Sequence, residues 1–180
     1  MSQIELRADC ARCAALCCVA FHFERSNQFG CDKAAGRPCG HLGRDGRCGI
    51  YRDRADRGFR GCVGYDCHGA GQRVTQALFG GRSWMDDPAL LAPMAEAFLR
   101  AERAHRLLAI LRKAGNLDLA AEDRWRHARL EEAFEAAAVE GGPGAALEAQ
   151  ARAFFRTLRR YVAPRGAGNA PGRAGPTAVP

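Results

Sequence analysis

No apolar run in the chain approaches the ~20 residues that a helix needs to cross a bilayer. The amino-terminal stretch MSQIELRADCARC has neither an apolar h-region nor a small-residue cleavage site. The expectation is a cytoplasmic protein with no membrane partner. Lysine is nearly absent, Lys33 and Lys113 being the only two, so the net charge of +7 comes almost wholly from arginine. Neither half carries a basic block: eleven basic and eight acidic side chains leave +3 over residues 1–69, and sixteen against twelve leave +4 over 70–180. Charge spread this evenly is a solvated surface and speaks against nucleic acid as a partner. Nothing reads as a nucleotide or methyl-donor loop, and no carboxylate–histidine pair suggests acid–base work, so no catalytic residue is assigned.

Cysteine is absent after Cys67, yet nine cysteines crowd the stretch before it: Cys10, Cys13, Cys17, Cys18, Cys31, Cys39, Cys48, Cys62 and Cys67. In a reducing compartment thiols stay reduced unless a metal holds them, and an odd number cannot pair completely, so chelation is preferred to disulfides. The opening Cys10-x2-Cys13-x3-Cys17-Cys18 has the two-residue spacer that lets one turn of backbone aim two thiolates at one ion. Neighbouring side chains diverge, so Cys17 and Cys18 suit two adjacent ions, or one ion and a redox partner, better than a single centre.

Residues 14–20 read as a short helix and Phe21-His22-Phe23 as a strand-like alternation with His22 on its wet side. The segment from Cys39 to Tyr51 carries Asp45-Gly46, a turn signal between short apolar-bearing arms, and predicts a hairpin with one cysteine on each arm. A hairpin this small needs an anchor, which thiolate–metal bonds would supply. His41 is read as a surface residue or a neighbour of a ligand in preference to a ligand. Gly58, Gly61 and Gly64 bracket Cys62 and would let backbone N–H groups approach its sulfur.

The matched residues Cys10, Cys13, Cys17 and Cys18, then Cys39 with Leu42, then Cys48-Gly49-Ile50-Tyr51, then Cys62 and Cys67, resemble the YkgJ-type cysteine-cluster family, described as zinc- or iron-chelating. The resemblance implies that these eight cysteines are metal ligands, for zinc or iron, including an iron–sulfur cluster, and leaves Cys31 outside the pattern. The chain departs from the family after Tyr51, where an arginine- and glycine-rich loop replaces an Arg-Pro pair. A resemblance to the front part of actinobacterial pentapeptide-repeat proteins runs on through Gly69-Ala70-Gly71-Gln72 and Phe79-Gly80-Gly81-Arg82-Ser83-Trp84, without any five-residue repeat in this chain. The cysteine pattern is also similar to the cluster-bearing part of flagellin lysine methylases, which keeps an iron–sulfur redox enzyme open as an alternative.

The second half reads as helix. A short helix over 70–79 stops at Gly80-Gly81, with Trp84 a plug between the halves. Asp87-Pro88 opens a long helix with Leu90, Met94, Ala97, Ala101, Ala104, Leu108 and Leu111 at 3–4 spacing up to Gly115. Further helices follow over 117–139, with Trp125, Leu130, Phe134 and Ala137 as the core face, and over 145–162. Short loops imply antiparallel packing. His105 and His127 are assigned no chemistry. The reading is α+β tending to mostly α: a small metal-stapled cysteine-rich module over 1–84 with a short hairpin, an antiparallel helical bundle over 85–162 that could face a protein partner, and a disordered tail over 163–180.

Overall fold

The computed structural model describes residues 4–162; the tail expected over 163–180 lies outside them. The longest element, α4 (Leu91–Ala114), is entered as its sequence demands. The Asp87 carboxylate accepts from the Ala89 N–H at 3.2 Å, Pro88 takes the first position of a 3₁₀ turn, and Gly115 donates its N–H back to Leu111. α5 (Ala121–Glu140) ends at Gly141 with φ +96°, a left-handed closure that a residue without Cβ adopts freely. α6 (Ala145–Thr157) runs on into a 3₁₀ turn, Leu158–Tyr161. Helix α5 packs against both α4 and α6, so these three helices form the expected bundle.

The helix α4 serves two apolar clusters. Its second half (Ala104, Leu107, Leu108, Leu111) joins Leu130, Phe134, Ala151 and Phe154 of the other two helices, together with Ile4 from the irregular segment before Cys10. Its first half (Met94, Ala97, Phe98, Ala101) packs on the cysteine-bearing region instead, meeting Leu16 and Ala20 of α1 (Leu16–Ala20) and Ala70 and Val74. The alanines let the elements approach closely, and Phe98, with no exposed surface, fills the space against the edge of Phe21 at 5.8 Å. Residues 70–78 begin as α3 (Ala70–Gln72) and widen into a π-helical stretch, Arg73–Leu78. Trp84 is half-buried between the halves, its indole N–H donating to the Ala14 carbonyl at 2.7 Å.

The α+β expectation is overturned, because no sheet exists among the described residues and the predicted hairpin over 39–51 does not form. Around Asp45-Gly46 the chain makes one antiparallel bridge, Leu42 with Cys48, and two cross-links, Gly43 N–H to Arg47 O at 2.8 Å and Gly49 N–H to His41 O at 2.8 Å. Beyond these, each arm turns on itself. Leu42 N–H bonds Cys39 O at 2.9 Å and Tyr51 N–H bonds Cys48 O at 3.1 Å, donors that a ladder would have used. Gly40, Gly43 and Gly49 supply no side chains to pack and favour turning over extension. The Phe21–Phe23 alternation likewise yields a single bridge, Phe23 with Lys33. The region between α1 and α2 (Arg60–Gly64) is a string of turns, and no helix of the described residues is long and apolar enough to cross a membrane.

Candidate metal centre

The nine cysteines enter from separate lengths of chain that the fold draws to one end. Asp9 caps the 3₁₀ turn Cys10–Arg12 by accepting from the Ala11 N–H at 3.0 Å. The turn is pinned to the 70–78 helix by side chains that replace missing backbone partners. Gln72 accepts from Asp9 N–H at 2.8 Å and donates to Arg7 O at 2.7 Å, and Gln76 donates to Arg12 O at 2.9 Å. Buried Thr75 accepts from Ala14 N–H and donates to Gly71 O, both at 3.0 Å. Ala15, at φ +54°, then reverses the chain into α1, which carries Cys17 and Cys18. A left-handed alanine costs roughly 1–2 kcal/mol and persists only where its surroundings over-determine it.

Backbone contacts bring in the rest. Cys39 donates its N–H to Cys18 O at 3.0 Å, the Leu42–Cys48 bridge places Cys48 near Cys39, and Arg54 holds the Cys62 carbonyl at 2.8 Å. Cys67 ends the segment before α3, and at Gly71 the place where a Cβ would stand is 2.5 Å from Cys13 Sγ and 3.9 Å from Cys67 Sγ. No side chain larger than hydrogen fits between those two sulfurs and the helix. All nine cysteines are free thiols, and among the described residues no three His, Cys, Asp or Glu side chains are already gathered tightly enough to grip an ion.

Most of these thiols are held in the protonated form. Burial pushes Cys13 up to about 11 and raises Cys10, Cys39 and Cys62. The interaction between the adjacent Cys17 and Cys18 thiols drives Cys17 up and Cys18 down, and the cations of Lys33 and Arg54 lower Cys18 further. Of the vicinal pair, Cys18 is the one that gives up its proton more readily.

Three residues complete the arrangement, none of them marked by the sequence reading. Lys33 is 8% exposed; its ammonium donates to Val19 O at 3.0 Å, to Ala34 O at 3.1 Å and to Phe21 O, and lies within electrostatic reach of Cys17, Cys18 and Cys39. Arg54 stacks on Tyr51 at 3.9 Å and reaches Cys10, Cys18 and Cys62. The Tyr65 hydroxyl is buried with no hydrogen-bond partner among the described residues, within electrostatic reach of Cys17 and Cys67. Lys33 stood out only as the single lysine in an arginine-rich half, and Tyr65 carried no signal at all. Of the histidines weighed, His22 is exposed, and half-buried His41 sits edge-on to Phe59 at 4.9 Å. His105 is buried and bonds His68 O through Nδ1 at 2.6 Å, leaving Nε2 unpartnered.

Over 131 residues the chain is 37% identical to a Bacillus subtilis (strain 168) protein named "Uncharacterized protein YybG". The match takes in 73% of this chain. It spans 46% of that relative, so the chain corresponds to about half of the relative's length. No family model matches the chain, and no solved structure matches it.

The residues present suit a thiophilic ion. Soft donors from several stretches of chain lie within electrostatic reach of their neighbours, and two cations stand beside them to offset thiolate charge. A glycine leaves room at two sulfurs, and an orphaned buried hydroxyl has a use once a neighbouring sulfur becomes an anionic acceptor.

Proposed function

We propose that this chain is a metal-binding cysteine-cluster protein, of the kind its YkgJ-type pattern suggests, in which zinc or iron is held by Cys10, Cys13, Cys17, Cys18, Cys39, Cys48, Cys62 and Cys67 and the role is structural, sensory or interactive. The supporting observation is that thiols from distant stretches of chain lie within electrostatic reach of buried Lys33 and half-buried Arg54, neither of which makes an ion pair among the described residues. Lys33 is the clearest case: an ammonium bonded only to neutral carbonyls in a buried site has a use once thiolates form beside it. The bound ion would supply cross-linking of turns that lack a sheet or long helix of their own, on the order of 10 kcal/mol of apparent binding free energy for a structural zinc site. Iron would add a redox response.

The test is metal analysis of protein purified anaerobically without chelator, with thiols counted before and after metal removal. Zinc or iron at one or more equivalents, with most thiols unreactive until it is stripped, is the expected result. A metal-free protein with nine reactive thiols that takes up neither metal would overturn the reading. A second reading, a surface for a partner protein on the bundle, is favoured by Trp125, which is 67% exposed. Trp125→Ala should leave metal content untouched while weakening any partner complex.

A further inference from the structure

We propose that the eight thiols form two separate tetrathiolate sites, Cys10, Cys13, Cys17 and Cys67 in one and Cys18, Cys39, Cys48 and Cys62 in the other, each for one divalent cation of the zinc class. This deepens the metal-binding reading and rests on it.

The division follows from contact. Cys13, Cys17 and Cys67 pack on the same apolar cluster as Ala14, Leu16 and Ala70, and none of the second set does. Cys13 and Cys67 share the gap left by Gly71, and Cys13 and Cys17 are four residues apart across the entry to α1. Cys10 stands on the 3₁₀ turn that Gln72 and Gln76 pin to the 70–78 helix, and of the thiols Cys67 weighs most on its charge. The second set is drawn together by other bonds: Cys39 N–H to Cys18 O at 3.0 Å, and the Leu42–Cys48 bridge. Cys18, Cys39 and Cys48 are the thiols whose charge weighs most on Cys62, which Arg54 holds by its carbonyl at 2.8 Å.

The vicinal pair explains why two sites are needed. Successive side chains of a helix project about 100° apart, so Cys17 and Cys18 on α1 cannot both point at one small ion without distorting the turn. Each therefore belongs to its own set, and the border runs between these two neighbours. Cys10 also feels Cys18 across that border. Lys33 and Arg54 straddle it as well: Lys33 reaches Cys17 on one side and Cys18 and Cys39 on the other, Arg54 reaches Cys10 on one side and Cys18 and Cys62 on the other. A divalent ion with four thiolates carries two negative charges, so two such sites side by side need shared cations between them. Loading each site releases its thiol protons to solvent as four sulfur–metal bonds form.

The experiment is anaerobic titration of the metal-free full chain with cobalt(II), read by sulfur-to-cobalt charge-transfer absorbance and metal content, on the wild type and on two double variants. The wild type should take about two equivalents. Cys13→Ser with Cys67→Ser, both from one set, should still take about one and keep half of the absorbance. Cys13→Ser with Cys39→Ser, one from each set, should lose both tight sites. Alkylation mapping of the wild type guards against variants that fail to fold: thiols protected by partial loading should appear as whole sets, with Cys31 reactive throughout. Two equivalents lost alike in both double variants, protection that ignores the sets, or iron with inorganic sulfide in place of single ions would each overturn the division while leaving metal binding standing. No uptake of cobalt, zinc or iron by the wild type would overturn the metal-binding reading and the division with it.

Discussion

Because α4 carries both apolar clusters, deleting one phenylalanine from each should separate what the two do. Phe98 and Phe134 are both fully buried, the first beside Leu16, Val74 and Met94, the second beside Leu108, Leu130 and Phe154. Truncating either to alanine removes a side chain that nothing can replace and costs about 3–5 kcal/mol. At about 2–4 °C per kcal/mol for a chain of this size, either variant should melt roughly 6–20 °C below wild type by circular dichroism. The thiols should tell them apart. Phe98 holds α1, and with it Cys17 and Cys18, against α4, so a 3 kcal/mol loss confined to that cluster multiplies its open fraction by up to roughly 150 at 1.4 kcal/mol per tenfold. Slow alkylation of the metal-free protein at 25 °C should therefore speed up by one to two orders of magnitude at Cys13 and Cys17 in Phe98→Ala and change less than about twofold in Phe134→Ala. Equal acceleration in both variants would show that the clusters open as one unit and refute the reasoning.

Gly71→Ala should lower the melting temperature and expose Cys13, since the added Cβ would stand 2.5 Å from its sulfur; Gly64→Ala, where nothing lies within 4 Å, should be neutral or mildly stabilising in the same melt. Thr75→Val should cost about 1–3 kcal/mol in urea unfolding by leaving the buried Ala14 N–H without an acceptor, and Thr75→Ser should restore most of it. The Asp123 carboxyl is held below its usual 3.8 by the Tyr161 hydroxyl at 2.6 Å and by Arg160. A depressed folded value means its contribution is present above about pH 4 and is lost as pH falls below that through the folded value. Thermal melts taken downward from about pH 6 should thus drop less steeply at the acid end in Asp123→Asn than in wild type, starting from a lower plateau.

The helical half was legible because burial on one side of a helix repeats every three to four residues. Met94, Ala97, Ala101, Ala104, Leu108 and Leu111 are all buried, and the helix stops at Gly115 as its composition predicts. Trp125 was misplaced for an equally physical reason. The face of α5 that turns inward runs Asp123, His127, Leu130, Phe134, Ala137, and its first two members are polar. Their partners are Tyr161, Arg160 and the Leu111 carbonyl at 2.7 Å, which come from other helices, so a pattern of apolar residues could not reveal them. The hairpin failed because a turn dipeptide fixes a reversal but not the strands beside it. Of the candidate site, spacing exposed the thiols; Lys33, Arg54 and Tyr65 reach them only through the tertiary fold.

The packing of α1 on the first half of α4 also sets an order of events during synthesis. About eighty residues separate Cys18 from Ala101. At roughly 5–20 residues per second, the cysteine-rich stretch emerges about 4–16 s before the wall it leans on exists. Through that interval its thiols are open to any oxidant or loose ion in reach, and the nascent chain must rely on the reducing power of its surroundings to arrive at α4 with all nine sulfurs unspent.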